Sequence, residues 1–196
     1  MASDYLRTGF EMMMKRTILS ALILLAASST AWGRSVAIDM HNEALGINYV
    51  NSESMLIKGM GVEAGLLMRE SQKPLIHLGL SVAGKNLSQQ GTVDISLGGR
   101  LYNYRGDNGS LTAIALGGKV RFSPMTRVGL NAHLYFSPDI TTFGDANGLN
   151  EFVVSADYQV IPQAFAYIGS RHVTVKYPGV TSTLDKKLFV GMKLLF

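Results

Sequence analysis

From residue 58 to the end of the chain, apolar side chains return at every second position through eight successive runs. A repeat of two belongs to an extended strand with one apolar face. No later stretch shows an amphipathic helical repeat, and none approaches the ~18 consecutive apolar residues of a spanning helix. In 58–69 the apolar face is Met60, Val62, Ala64, Leu66 and Met68, with Glu63 and Arg69 opposite. In 74–84 it is Ile76, Leu78, Leu80 and Val82. In 92–104 it is Val93, Ile95, Leu97 and Leu101, against Asp94 and Arg100. In 111–122 it is Ile114, Leu116, Val120 and Phe122, against Lys119 and Arg121. In 126–136 it is Val128, Leu130, Ala132, Leu134 and Phe136, against Arg127, Asn131 and His133. In 150–159 it is Phe152, Val154, Ala156 and Tyr158, against Glu151 and Asp157. The run 163–173 alternates less cleanly. The last run carries Leu188, Val190, Met192, Leu194 and Phe196 on one face, with Lys193 on the other.

The breaks between runs carry turn chemistry: "ESQK", "KNLSQQG", "RGDNG", "SPM", "SPDITTFGDANGL", "VIP" and "YPGVTSTLD". Nearly all are short, so consecutive strands are expected to pair as an antiparallel meander. The segment 35–50 reads as a further hairpin turning at Asn42-Glu43.

Residues 14–33, "MKRTILSALILLAASSTAWG", have the layout of a secretory signal peptide. Lys15 and Arg16 supply the positive end, 17–27 the apolar stretch, and Ala31 and Gly33 the small residues before cleavage. The apolar stretch is short of the ~20 residues a membrane anchor needs. The mature chain is expected to begin near Arg34, with residues 1–33 an extension plus leader and 34–196 one domain. Translation has four candidate starts: Met1, Met12, Met13 and Met14. The absence of cysteine excludes disulfides, thiolate metal sites and a lipid anchor on an N-terminal cysteine. The net charge of +4 is not gathered into a basic stripe, so nucleic acid is not an expected partner.

Alternation alone does not distinguish a soluble barrel, apolar inside, from a membrane barrel, apolar outside. The runs have the ~9–11 residues of a tilted spanning strand, whereas soluble strands average ~5–6. Charges of both signs lie on the polar face, and aromatic residues gather at the strand ends. Phe122, Tyr158, Phe165 and Phe196 fall near one rim, and Phe136 and Phe152 near the other. These six are the expected aromatic girdle. The fold class is therefore an all-β, antiparallel, up-and-down transmembrane barrel of ten strands, with eight as the alternative. With the chain end on the periplasmic side, 123–125 and 160–162 become periplasmic turns, and 137–149 and 174–184 become outer loops. Closing the ring requires the last strand to pair with the first, which assigns Leu188, Val190, Met192, Leu194 and Phe196 to closure.

The mature chain resembles the YfaZ family of Gram-negative outer-membrane proteins. The resemblance is carried by 116–173, above all "LYFSPD", the Asp-rich loop after it, "YQV" and "YIGSR". It implies an exported small barrel in the outer membrane, surrounded by outer-membrane lipid and lipopolysaccharide. It implies no catalytic residues and no cofactor. The ending "LFVGMKLLF" also resembles the C-terminal signature that barrel-assembly machinery recognises.

The inward charges are the expected functional set: Glu63, Arg69, Asp94, Arg100, Lys119, Arg121, Arg127, Glu151, Asp157 and Lys193. In a narrow barrel such side chains fill the interior. The expected protein is a monomeric, mostly occluded barrel with a structural or surface role and no enzymatic activity. Three alternatives stay open: a narrow porin-like channel, a soluble lipocalin-like binding barrel, and a lipid-modifying enzyme. Catalysis would need a serine beside His133, but Ser137, four residues on, sits ~13 Å away along a strand. Ser155 and Asp157 could approach from a neighbouring strand. Asp139, Asp145, Asn147 and Glu151 offer oxygens to a hard cation at a spacing that matches no EF-hand. The Gly-Gly pairs of "LGGR" and "LGGK" open no helix, so they are not phosphate loops.

Overall fold

The computed structural model describes residues 33–51, 60–70, 72–88, 91–106 and 108–196, the side chains of 85–88 excepted. The expected leader and the candidate start codons lie outside the described residues. The chain forms β1 (Arg34–His41), β2 (Ala44–Asn51), β3 (Met60–Arg69), β4 (Gln72–Ser88), β5 (Gly91–Gly106) and β6 (Gly109–Met125). It continues as β7 (Val128–Ser137), β8 (Thr142–Gly144), β9 (Gly148–Ile161), β10 (Ala164–Tyr177) and β11 (Val180–Leu195). Each long strand pairs antiparallel with its neighbours in sequence. The β5–β6 and β1–β11 pairings complete a closed ring of ten strands. The short β8 stands outside that count.

The hairpin at Asn42-Glu43 forms as expected, Met40 pairing with Leu45. Both ends of the barrel chain lie at one rim, where Ser35 pairs with Leu195. The opposite rim is called distal here. The segment 174–184 is not a loop: Thr174 to Tyr177 pair with Thr183 to Val180 across a tight turn at Pro178-Gly179. Pro178 presets φ, and Gly179 takes φ +76°, which other residues rarely adopt. Two further turns shift by one or two residues, to Thr126-Arg127 and Pro162-Gln163. Pro74 and Pro124 lie in strands where the register shifts, the places a residue without an N–H is tolerated.

The apolar face points outward. Leu78, Leu116 and Leu188 are 57%, 71% and 70% exposed, while Glu63, Glu151 and Asp157 are 3%, 7% and 4% exposed. A soluble barrel would reverse this arrangement, so the lipocalin-like alternative fails. The long 137–149 segment is also more ordered than a plain loop. A 3-10 turn, Asp139–Thr141, leads into β8, which pairs with Leu111–Ala113 of β6 beyond the last β6–β7 pair, Leu116 with Phe136. β8 thus extends the wall at the distal rim.

Inside the distal half, the walls pack on each other. Tyr102, Tyr104, Leu111, Ala113, Tyr135, Leu149, Val173, Val175, Tyr177 and Leu184 form one buried cluster. The Tyr177 hydroxyl reaches the Gly109 carbonyl at 3.5 Å, so the β10 tip meets the start of β6. Contacts of this kind bury ~1.5–3 kcal/mol per large side chain.

Candidate functional site: the charged lumen

Beneath that cluster the interior changes character. A cavity of about 490 Å³ is lined by charged residues from most strands, among them Asp39, Glu63, Arg100, Lys119, Arg171 and Lys193. Alternation aims these groups at one another, and the small circumference lets them meet across the ring.

The first network centres on Arg100 of β5. Its Nε donates to Glu63 of β3 at 2.5 Å, and its Nη1 donates to Glu151 of β9 at 2.8 Å. Lys119 closes on the second oxygen of Glu63, and the Tyr102 hydroxyl donates to Glu151. His133 Nε2 lies 3.2 Å from the other Glu151 oxygen. The guanidinium rests 3.9 Å over the Tyr135 ring. Two carboxylates, two cations and a phenol thus satisfy one another in a region nearly closed to solvent, which is the condition for buried charge to be tolerable.

The second network lies nearer the chain ends. Arg121 grips Asp157 with both terminal nitrogens, the Nη2 contact being 2.8 Å, and Asn131 Nδ2 donates to Asp157 at 2.7 Å. A forked pair of this kind fixes geometry as well as charge.

The third network was not foreseen from the sequence. Arg171 Nη2 donates to Asp39 at 2.5 Å and Arg171 Nη1 lies 3.6 Å from Asp185. His41 Nε2 meets Asp185 at 3.2 Å, and Tyr167 donates to Asp39 at 3.4 Å. It ties β1 to β10 and β11 on the inner face of the closing seam.

Seven of the ten expected lumen charges therefore enter the lumen in recognisable roles: Glu63, Arg100, Lys119, Arg121, Glu151, Asp157 and Lys193. The Lys193 ammonium sits 4.6 Å over the Phe165 ring. Asp94 lines the cavity without joining the three networks. Arg69 bonds to the Leu184 carbonyl near the distal rim. Arg127 is misassigned by alternation alone: it sits exposed in the β6–β7 turn, where the chain reverses and the strand repeat ends.

Of the aromatic residues, Phe136, Phe152 and Tyr158 project outward and are about half exposed, and Phe122 alternates with them on the outer face. Phe165 does not belong to the girdle. It points inward, with Arg121 5.7 Å from its ring on the side of the lumen. Leu188, Val190, Met192 and Leu194 face outward, but Leu188 pairs with Ser170 of β10 and only 190–195 pair with β1. The ladder ends at Leu195, one residue before Phe196.

Glycines make room for the inward charges. A Cβ at Gly79 would lie 2.7 Å from Glu63 Cγ and 3.0 Å from Arg100 Cγ. A Cβ at Gly129 would overlap the Arg121 guanidinium. His133 has Glu151 as its partner, while the Ser137 hydroxyl bonds to Thr141 and Thr142. Among the described residues no group of three potential ligands is placed to hold a metal ion.

The family profile described as YfaZ precursor matches residues 13–196. The chain belongs to the YfaZ family. With a closed ring and an apolar exterior, this YfaZ-family chain is an outer-membrane β-barrel. Two solved structures match it at low identity. One is the outer membrane channel DcaP of Acinetobacter baumannii, 11% identical, TM-score 0.39, the match covering 86% of this chain and 55% of that one. The other is the NanC porin, 9% identical, TM-score 0.40, with 83% of this chain and 98% of that one covered. The chain thus spans about half the length of DcaP. No curated protein matches it by sequence at a significant level.

Proposed function

We propose that this barrel does not conduct solutes and that its role is structural, at the outer surface of the cell, with the distal rim facing outward. The observation that carries the reading is the buried cluster from Tyr102 to Tyr177, which fills the distal half of the interior above the charged cavity. An aqueous path would have to pass between side chains that are almost fully buried. The three ion-pair networks brace the wall below.

Planar-bilayer recording of the reconstituted protein tests this. Wild-type protein should give no stepwise current, while the double variant Tyr104→Ala with Tyr177→Ala should give discrete steps. Steady single-channel conductance from wild-type protein would establish the narrow-channel alternative instead.

A further inference from the structure

The exterior of β9, β10 and β11 carries an apolar band that ends abruptly near the distal rim. Phe152, His172 and Lys186 are consecutive cross-strand partners in one row, all on the outer face. The row above holds Asn150, Thr174 and Thr183. Lys176 follows on the same face of β10, between the inward Val175 and Tyr177. The rows below are apolar or small: Val154, Ser170 and Leu188, then Ala156, Ile168 and Val190.

An outward aromatic residue at the end of an apolar band marks the level of the headgroups. Phe152 and, on β7, Phe136 set that level here, and His172 and Lys186 stand beside Phe152. Whatever covers this face at that height is a lipid headgroup, because the hydrocarbon lies directly beneath. The face is also electrically one-sided. Among the described residues no Asp or Glu lies on the outer face of β9, β10 or β11, and the turn acids near Lys186, Glu43 and Glu70, line a distal pocket with it, where Glu43 is taken by Lys187. Lys186 lies directly opposite His172, so an anion seated between them would meet a donor on each side. Cations at this height gain from anionic lipid within a Debye length.

We propose that His172, Lys186 and Lys176 form a binding site for the phosphate of an anionic lipid headgroup, with the hydroxyls of Thr174 and Thr183 as further donors. This goes beyond the non-conducting reading and does not depend on it, since the site is on the outside of the wall.

Native mass spectrometry of the purified barrel, released from micelles holding equal amounts of phosphatidylglycerol and phosphatidylcholine, provides the test. Wild-type protein should retain phosphatidylglycerol preferentially. Lys176→Gln with Lys186→Gln should reduce that preference on the order of tenfold, with heat-modifiable mobility unchanged as the check on folding. Lys73→Gln with Arg105→Gln, which removes exposed cations elsewhere on the distal side, should leave it intact. The site is overturned if wild type shows no preference, if the Lys176/Lys186 variant keeps it, or if the control variant loses it equally. Excess inorganic phosphate should weaken the preference, because both anions use the same donors; a preference untouched by it would overturn the phosphate as the bound group. Both symmetric micelles and mass readout are blind to conductance, so this result and the bilayer recording fail independently.

Discussion

Arg100 and Glu151, fifty-one positions apart in sequence, are joined at 2.8 Å across the lumen by a hydrogen-bonded ion pair. Arg100 also holds Glu63, whose second oxygen pairs with Lys119, so two cations balance two carboxylates that are almost fully buried.

Replacing Arg100 by Met should leave Glu151 without its guanidinium and Glu63 with Lys119 alone. Breaking a buried pair from one side costs about 3–5 kcal/mol, and urea unfolding of the reconstituted barrel would read the loss. Adding Glu151→Gln should recover part of it, because the charge left without its guanidinium is then gone. A double variant no more stable than the single would show that the pair is not the source of the loss.

The exterior band makes a separate prediction. Leu130 is 49% exposed on the outer face. Leu130→Arg should cost about 2–4 kcal/mol if the position lies near the bilayer midplane. Ser155→Ala, one strand away on the inner face, should change stability little. Comparable damage from both would mean that inner and outer faces have been exchanged.

Glycine positions offer a graded test of the charged interior. Gly79→Ala places a methyl against Glu63 and Arg100, an overpacked contact of the kind that costs about 1–3 kcal/mol. Gly84→Ala on the same strand meets no atom within 4 Å and should be neutral. Melting temperatures in one detergent would separate the two.

The distal rim should respond to acid through Asp145. The Ser110 N–H and hydroxyl donate to its carboxylate and hold its pKa below the usual carboxylate value. A lowered folded-state pKa contributes stability above the unfolded value, near 4, that is lost as pH falls through the folded one. The protection of the Ser110 amide, its exchange taken relative to the intrinsic rate at each pH, should therefore fall at the acid end, below about pH 4. Asp145→Asn should flatten that dependence.

Much of this architecture was legible because the strand repeat is short and the lipid face tolerates nothing charged. Ten strands, the outward band and most of the inward charges follow from that repeat. Phe165 was misread because its run carries apolar or aromatic residues on both faces, Phe165 and Tyr167 inward and Ile168 outward. Tyr102 and Tyr104 share the parity of Arg100, a signal that they fill the lumen. The Asp39–Arg171–Asp185 network escaped notice for another reason. Asp185 sits just past a break in the β10–β11 register between Val173 and Thr174. A bulge resets which residues face inward, and it leaves no mark in a period-two count. Partner choice across the lumen depends on strand stagger, which the sequence of one strand does not contain.

The seam between β1 and β11 joins six residue pairs, against fourteen between β10 and β11. It also unites the two strands farthest apart along the barrel chain, whereas every other long-strand ladder links chain neighbours. Contacts between distant segments carry the largest loop-closure cost and form late. The barrel should therefore exist first as a curled sheet with two bare edges, each able to recruit a foreign strand until they find each other. Because the chain contains no cysteine, introduced pairs can time this event. A cross-link between Ile38→Cys and Met192→Cys should appear during refolding only after one between Ile47→Cys and Leu66→Cys. The interval between them is the lifetime of the open sheet, the period in which the protein is most exposed to aggregation.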